Sequence, residues 1–223
     1  MTDPSLVLDI PFFSLPNPAG DVPDFSGYGN HGTPVNFAGT DVEFVDGHLG
    51  QSLQFDGSVS NKYLDLGGDD SLLLMNNFSV EILFKTTGGS PGDNFNGMYA
   101  RYFGGAANDA YTLCGWNDTN RLRFLIASGA ANQGVNSIST FNDDNWHYAV
   151  YNLTTTNLEI YVDGVFENSA VRTLNPGSNA SETRHLGRLS ANDFNGILNR
   201  VRIRSRAMGA AEVYQRYIHA ARM

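Results

Sequence analysis

The sequence is poor in the residues that would crosslink a fold or carry it into a membrane. Cys114 is the single cysteine among 223 residues, so packing and backbone hydrogen bonds must hold the fold without an internal disulfide. No stretch approaches the roughly 18 consecutive apolar residues of a transmembrane helix. Residues 1–5 contain neither the basic nor the apolar region of a signal peptide. We therefore expect a protein that is made in the cytoplasm and does not insert into a membrane.

Positive charge is scarce over most of the chain. Lys62 and Lys85 are the only lysines, and 23 acidic residues against 14 basic ones give a formal charge of -9. Nucleic-acid phosphates bind basic surfaces, so the composition excludes nucleic acid as the main partner. The C-terminal segment is an exception, because residues 200–222 contain six arginines and the single acidic residue Glu212.

Alternation of apolar and polar side chains indicates most of the strands. Residues 146–153 and 158–162 alternate in this way around the polar segment 154–157, which predicts a β-hairpin, and Asp163-Gly164 predicts a second tight turn. Residues 78–85 form the clearest central strand. About a dozen such segments at nearly even spacing predict an all-β chain folded as a two-sheet antiparallel β-sandwich, or jelly roll. A chain of this length is expected to form a single domain over residues 1–223.

The other predicted elements are shorter. Helical spacing appears only in residues 209–221, where Val213, Tyr217 and either Ala220 or Ala221 share one side, which predicts a short terminal helix. The remaining strands are predicted at residues 6–10, 52–56, 62–66, 98–103, 110–114, 121–127, 135–140, 183–187 and 197–204.

Four arginines near the end of the chain alternate with other residues. Arg200, Arg202, Arg204 and Arg206 are expected on one face of a strand, with Val201, Ile203 and Ala207 pointing to the core. Two interpretations stay open. The face is either solvated, with carboxylates such as Glu81 and Glu159 between the arginines, or it is a docking surface for an acidic protein or a glycan, because arginine forms bidentate charge-assisted bonds. The four arginines are the predicted partner-binding residues.

Four groups of segments, in this order, resemble the laminin-G-like, concanavalin A-like lectin/glucanase sandwich. They are Asp24-Phe25-Ser26-Gly27 with Tyr28-Gly29-Asn30-His31-Gly32; Gly50-Gln51-Ser52-Leu53-Gln54-Phe55-Asp56-Gly57; Phe78-Ser79-Val80-Glu81-Ile82 with Trp146-His147-Tyr148-Ala149 and Tyr161-Val162-Asp163-Gly164; and Phe194-Asn195-Gly196 through Ile203 with Arg206-Ala207-Met208. The resemblance spans nearly the whole chain. It implies two packed antiparallel sheets with adjacent N- and C-terminal strands.

The glucanase members of this family use two glutamates of one strand, and that arrangement is missing from the sequence. The six glutamates form no Glu-x-Asp-x-Glu motif or its one-residue-longer form. The histidines are scattered, and no Gly-x-Ser-x-Gly elbow occurs. We expect no catalytic residues and no enzymatic activity, and we expect Glu81 and Glu159 to face solvent. Carboxylates that converge from separate strands, as in a glycoside hydrolase, stay open as an alternative.

The resemblance also implies that the first loop and the C-terminal strand approach one calcium ion, the single cofactor that the sequence suggests. Asp24 and Asn30 fit the loop, but Asn199 and Arg200 stand where the family commonly has paired aspartates. Two interpretations stay open: a calcium site at Asp24, Asn30 and Asn199, or a structural loop in which Asp24 binds turn amides.

Aromatic residues and loops supply the other candidate contacts. Tyr99, Tyr102, Tyr111 and Trp116 are either a sugar-stacking surface or core, and we favour core. The loops at 86–97, 104–109 and 128–134 are the better candidates for contacts, because they are rich in Gly, Asn and Ala.

The functional expectation is a recognition or assembly module. We expect a virion surface protein, such as a bacteriophage capsid decoration protein, that docks on a protein shell or another virion protein, binds glycans as a second duty, and forms a homo-oligomer. The alternatives are a carbohydrate-binding lectin-like adhesion module and a glycoside hydrolase of the glucanase branch, since one fold serves many functions.

Overall fold

The fold is known from a computed structural model, which describes residues 3–12, 20–37, 44–57, 62–87, 96–102, 112–116, 119–129, 131–178, 180–189 and 192–222. Within these ranges one helix follows a series of strands. In chain order they are β1 (Leu6–Pro11), β2 (Thr33–Val35), β3 (Phe44–Gly47), β4 (Gly50–Asp56), β5 (Tyr63–Asp65), β6 (Phe78–Lys85), β7 (Asn96–Tyr102), β8 (Thr112–Trp116), β9 (Leu122–Ser128), β10 (Ala131–Asn136), β11 (Trp146–Leu153), β12 (Asn157–Val162), β13 (Val165–Val171), β14 (Thr183–Leu186), β15 (Arg188–Leu189), β16 (Asn192–Asp193), β17 (Asn195–Arg204) and α1 (Ala210–Arg222). A single 3-10 turn, Asp70–Leu72, precedes β6.

The described strands form two large antiparallel sheets. Sheet 1 has the order β13-β12-β11-β6-β17-β4-β3, and β1 pairs with β17 as well. Sheet 2 has the order β10-β9-β8-β7-β14-β5-β2. The last strand of the chain, β17, therefore lies in the middle of sheet 1, with β6 on one side and β1 and β4 on the other.

Period-two alternation in the sequence produces the core between the sheets. Phe78, Val80, Ile82 and Phe84 of β6 are fully buried and pack against the opposite sheet, for example Phe78 against Phe124 and Phe84 against Trp116. Burial of such side chains is the main favourable term in folding, at about 1.5–3 kcal/mol each. The predicted all-β sandwich with a short C-terminal helix is confirmed.

The outer face of sheet 1 is covered by α1. Val213, Tyr217 and Ala220 lie on the predicted apolar side of the helix and pack against an outward cluster that includes Leu83, Tyr148 and Val150. No helix within the described ranges is long and apolar enough to cross a bilayer.

Asn152 attaches the start of this helix to the sheet. Its buried side-chain amide donates to the Met208 carbonyl at 2.7 Å and accepts from the Met208 amide at 3.0 Å. Two backbone groups next to the helix are thus paired by one side chain of β11.

The sequence did not predict several of the strands. The hairpin of β11 and β12 has the predicted turn at 154–157, and residues Asp163 and Gly164 have the positive φ angles of a tight turn, at 51° and 79°. That turn leads into β13, which was not predicted, nor were β2 and β3. All three are short or partly exposed, so their side chains do not alternate clearly between core and solvent.

Candidate functional site: a pocket beneath the C-terminal helix

The strand register places the predicted arginines among carboxylates on the outer face of sheet 1. Arg202 lies opposite Asp9 of β1 on one side and Glu81 of β6 on the other. Arg200 lies opposite Leu83. Opposite charges on neighbouring strands attract across this ladder. Asn199 is the extra residue of a bulge in β17, and from Arg200 to Arg204 the arginines lie on the outer face while Val201 and Ile203 are buried, as predicted. Arg206 and Ala207 lie beyond the end of β17, so the prediction of a single strand is wrong for these two residues.

Each of the four arginines has at least one acidic partner. Arg200 makes a bidentate pair with Asp9 at 2.9 and 2.7 Å, and Arg202 reaches the same carboxylate with its Nε at 3.3 Å. Arg206 makes two bonds of 2.7 Å to Glu212 of α1. The face is therefore a network of ion pairs in which strand, helix and N-terminal segment are joined.

Arg204 and Glu81 form the buried centre of the network. Their side chains are only 1% and 2% exposed, and they contact one another directly. Arg204 also bonds to Asp3 at 3.2 Å, and the Tyr148 hydroxyl donates to the other oxygen of Glu81. The prediction that Glu81 faces solvent is therefore wrong, because α1 and the arginines cover the outer face there. Glu159 is half-buried and accepts from Asn152 and Tyr161.

A pocket of about 240 Å³ lies between this face and α1. We call it the arginine pocket; it is lined by Leu49, Glu81, Leu83, Tyr148, Arg200, Arg202, Arg216, His219 and Ala220. The volume corresponds to about eight water molecules at ~30 Å³ each. Leu83 and Tyr148 form an apolar floor, and three guanidinium groups project around it, so the pocket combines apolar surface with hydrogen-bond donors.

Two of these guanidinium groups have N–H donors that bind no acceptor within the described ranges. Within the described ranges Arg202 bonds only through Nε, and Arg216 only approaches Glu212 at 3.6 Å. Burial, and then the charge of Arg200, lower the pKa of Arg202; Asp9 and Tyr148 oppose this, and Arg216 lowers it further. Burial also raises the pKa of the Tyr148 hydroxyl, so it stays protonated and donates.

A second, smaller pocket adjoins the first. The aromatic pocket has a volume of about 100 Å³ and is lined by His48, Leu83, Trp146, Tyr148, Asp163, Tyr217 and Ala220. It shares Leu83, Tyr148 and Ala220 with the arginine pocket, so the two pockets adjoin along α1. His48 packs against Trp146 at 6.0 Å between ring centroids and bonds to the Ala220 carbonyl at 3.0 Å. One end of the combined groove is aromatic and the other is rich in arginine.

The loop predicted to bind calcium is organised differently. Asp24 accepts four hydrogen bonds, from the Asp9, Ser26 and Asn30 amides and the Ser26 hydroxyl, at 2.7–2.9 Å. The carboxylate is thus occupied by the chain itself, as in an Asx turn.

The side-chain amides of the other two predicted calcium ligands bond to other residues. Asn30 donates to the Val7 carbonyl and to Ser71, while Asn199 donates to Ser52 and the Gln51 carbonyl of β4. Among the described residues, no group of three or more His, Cys, Asp or Glu side chains is arranged to hold a metal ion. The side chains of Asp24, Asn30 and Asn199 thus bond to protein partners, and a calcium site at these three residues stays a prediction.

The other aromatic candidates divide between core and surface. Tyr99 and Trp116 are fully buried, as expected, and Tyr102 is half-buried. Tyr111 and the loop predicted at 104–109 lie outside the described residues, as do most of 86–97 and residue 130. The prediction of a loop at 128–134 is wrong, because Ser128 belongs to β9 and residues 131–134 to β10, which pairs with β9. The strand predicted at 135–140 lies earlier in the chain, because β10 ends at Asn136.

Sequence reasoning found Arg200 and Arg202 but not their partners in the pocket. Arg216 and His219 come from α1, and Tyr148 and Trp146 from β11. The available signal was the outward alternation of Trp146, Tyr148 and Val150 in a strand whose other side also faces apolar core. Two apolar faces on one strand indicate that a further element covers the sheet.

Solved structures of low sequence identity share this fold. Domain 4 of AbnA, an extracellular arabinanase of Geobacillus stearothermophilus, in complex with arabinotriose, aligns over 95% of this chain and 97% of its own, with a TM-score of 0.73 and 17% identity. The Ruminococcus gnavus IT-sialidase CBM40 bound to α2,3-sialyllactose aligns over 74% and 96%, with a TM-score of 0.62 and 9% identity.

Neurotoxin binding domains are similar over half of their length. The binding domain of botulinum neurotoxin DC, in complex with rat synaptotagmin II, aligns over 99% of this chain and 52% of its own, with a TM-score of 0.70 and 13% identity. At such identities the likeness shows the fold alone.

Sequence comparison gives the family. No curated protein sequence matches the chain. A laminin G family model, described as the concanavalin A-like lectin/glucanases superfamily, matches residues 56–214. The match covers more than half of the sequence and includes β6, β11, β17 and the start of α1. The chain therefore belongs to the concanavalin A-like lectin/glucanase superfamily.

Proposed function

We propose that this chain is a carbohydrate-binding domain without catalytic activity, and that its sugar site is the groove formed by the arginine and aromatic pockets. The observation that carries the proposal is that the two pockets adjoin along α1, where they share Leu83, Tyr148 and Ala220. A sugar ring presents apolar C–H faces and a rim of hydroxyls. A groove with an aromatic end, an apolar floor and a few convergent polar groups is suited to bind both.

The carboxylates around the groove support binding rather than hydrolysis. Glycoside hydrolysis requires two carboxyl groups about 5–10 Å apart on either side of the bond that breaks. In the arginine pocket the one carboxylate is Glu81, which is held by Arg204 and Tyr148. Asp163 lines the aromatic pocket, where it binds His147 and the Tyr148 amide. Both groups are thus engaged in structural bonds.

Ligands of structural neighbours support the same ligand class. The arabinanase domain was solved with arabinotriose, the sialidase domain with sialyllactose, and a neurotoxin binding domain with a sialylated sugar, SialylT. These ligands belong to those proteins. For this chain they favour glycan binding over the other functions open to the fold.

The test is a glycan array, followed by titration calorimetry with the best binder. Tyr217→Ala removes an aromatic wall and is expected to weaken binding at least tenfold, which is about 1.4 kcal/mol. Tyr214→Ala is the matched control, because Tyr214 is 49% exposed on the same helix and lies outside both pockets. A folded wild-type chain that binds no glycan, or a Tyr217→Ala variant that binds as well as wild type, would overturn the proposal.

The virion surface role, with a protein shell as partner and a homo-oligomeric form, stays a prediction. It is compatible with glycan binding, because a particle protein that binds sugars would attach the particle to a cell surface. Detection of this chain in purified particles by mass spectrometry would support it, and its absence from such particles would count against it.

A further inference from the structure

We propose that the arginine pocket selects acidic sugars, and that Arg202 and Arg216 bind the anionic group. The inference rests on the proposed carbohydrate-binding function and names the ligand class of the same groove. The shared chemistry is a carboxylate or a sulfate ester on a sugar residue, since both present planar or forked oxygen pairs that match a guanidinium group.

The pocket has more positive charge than its acidic residues neutralise. Three guanidinium groups and one carboxylate line it. The charge of that carboxylate, Glu81, is already neutralised by its ion pair with Arg204. Asp9, outside the lining, holds Arg200 with two short bonds and Arg202 with one longer bond of 3.3 Å. Arg202 is left with its two terminal nitrogens without an acceptor among the described residues.

Arg216 is the second incompletely paired group. Its one acidic neighbour, Glu212, accepts two bonds of 2.7 Å from Arg206 and lies 3.6 Å from Arg216. Glu212 is therefore largely neutralised by Arg206, and the guanidinium of Arg216 lines the pocket as a donor. His219 lies beside it on the same side of the helix and adds ring nitrogens to the rim.

The two arginines approach the pocket from opposite sides. Arg202 extends from β17 in the sheet and Arg216 from α1 above it, and they are close enough for the charge of Arg216 to lower the pKa of Arg202. Both side chains are mostly sheltered, with 21% and 30% of their surface exposed, so solvent screens their repulsion incompletely. An anionic oxygen pair between them would replace repulsion by charge-assisted hydrogen bonds. A neutral sugar cannot do so.

The adjoining aromatic pocket favours a sugar as the carrier of the charge. Trp146, Tyr148 and Tyr217 provide flat apolar surface next to the guanidinium groups. A free inorganic anion would leave this surface uncovered. A sugar ring on the aromatic end with its acidic group at the arginine end covers both parts of the groove.

The experiment compares matched neutral and acidic sugars by titration calorimetry. One set is lactose, 3′-sialyllactose and lactose 3′-sulfate, and a second set is galactotriose and trigalacturonate. We expect at least one acidic member to bind tenfold or more tightly than its neutral counterpart, and its affinity to fall as salt is raised from 50 to 300 mM. The sialylated and sulfated arms distinguish carboxylate from sulfate.

Variants assign the effect to the two arginines. Arg202→Gln and Arg216→Gln are each expected to remove most of the preference for the acidic sugar, at least tenfold, while thermal melts confirm that each variant is folded. Because Arg216 lies on the helix surface, its variant keeps the test valid should Arg202→Gln unfold. Arg188→Gln is the control, since Arg188 stacks on Tyr63 at 4.9 Å, outside the groove.

The outcomes separate the two proposals. Equal affinity for acidic and neutral members, with binding still lost in Tyr217→Ala, would overturn the acidic preference and leave carbohydrate binding intact. An acidic preference that survives both arginine variants would overturn the assignment to this pocket. Binding of an acidic peptide but of no sugar in these sets or on the array would overturn both proposals.

Discussion

At the scale of single residues, Asn152 of β11 also holds the segment that precedes α1. Its amide pairs both backbone groups of Met208, two residues before α1 begins, and it is fully buried. A buried polar group without a partner costs about 1–3 kcal/mol, so the position tolerates few other side chains. The amide fixes where the helix starts and hence where Arg216 lies.

The prediction from this contact is that Asn152→Ala lowers the free energy of unfolding by about 1–3 kcal/mol, because the Met208 amide and carbonyl lose their partner. Urea titration measures this loss. Hydrogen exchange of the α1 amides should accelerate more than that of β6. The control is Asn168→Ala, which removes one bond to the Asn136 carbonyl and one from the Ser169 amide, neither of which involves α1. Equal exchange rates in α1 of the variant and wild type would contradict the proposed role of Asn152 in holding the start of the helix.

His147 makes the stability depend on pH. Its ring lies between Asp163 at 2.8 Å and Asp143 at 3.0 Å. Burial lowers the pKa of the ring, but the bonds and charges of Asp163 and Asp143 outweigh this, and the net shift raises the pKa above 6.5. A base whose pKa is raised by folding binds protons more readily in the folded state. Its stabilising effect is therefore complete below pH 6.5 and is lost as the pH rises through the folded-state pKa.

We expect the difference in unfolding free energy between wild type and His147→Gln to be largest near pH 5.5 and to shrink towards pH 8.5. Because Asp143 is half exposed, the change is expected to be about 1 kcal/mol or less. Burial lowers the pKa of His185 to about 4. Because His185 is present in both proteins, its contribution cancels in the difference between their unfolding free energies. The exposed His219 serves as control in a His219→Gln variant. A difference that grows with rising pH would refute the assignment.

At the scale of elements, the turn between β12 and β13 positions the helix. Gly164 has φ of 79°, and a Cβ there would lie 2.9 Å from Cδ1 of Tyr217 and 3.0 Å from Cδ2 of Tyr214. The helix can pack this closely on the sheet because the turn residue has no side chain.

Gly164→Ala is accordingly expected to destabilise the fold by about 2–3 kcal/mol, of which about 1–2 kcal/mol comes from the left-handed backbone. Gly67→Ala isolates that backbone cost, because Gly67 has φ of 69° and open space around it. Thermal unfolding of both variants gives the difference between their losses of stability, and this difference measures the cost of the contact with α1. Adding Tyr214→Ala to Gly164→Ala should recover part of it. Equal losses in the two alanine variants would show that the contact has no effect.

The same elements show how far the sequence predicts this fold. β6 and the β11–β12 hairpin were predictable because each has a regular apolar face of its own, and the helix because Val213, Tyr217 and Ala220 have helical spacing. β13 was not predictable, because its residues are half-buried or exposed and do not alternate between core and solvent.

The candidate site was predictable only in part. The alternation of Arg200 and Arg202 is local and was read correctly, whereas the approach of Arg216 depends on α1 folding back over sheet 1, which no local pattern records. The bulge at Asn199 and the burial of Arg204 with Glu81 likewise arise from pairing between distant strands.

At the scale of the whole molecule, sheet 1 depends on β17. This strand pairs with β1, β4 and β6, which come from the first 85 residues of the chain. We predict that a chain ending at Phe194 has no cooperative unfolding transition, because β1 loses the one strand to which it pairs within the described residues and β6 loses one of its two neighbouring strands. Calorimetry and the dispersion of amide NMR signals test this. A cooperative transition in the shortened chain would contradict it.

The central place of β17 also has a consequence for biosynthesis. A ribosome makes β17 after every strand with which it pairs, so the nascent chain carries the unpaired edges of β1 and β6 until β17 has been made. Pairing between segments so distant in sequence is slow, and open strand edges associate with other chains in the meantime. Slower translation would lengthen this exposure, and the yield of folded protein would then depend on holdase chaperones that cover the edges until β17 emerges.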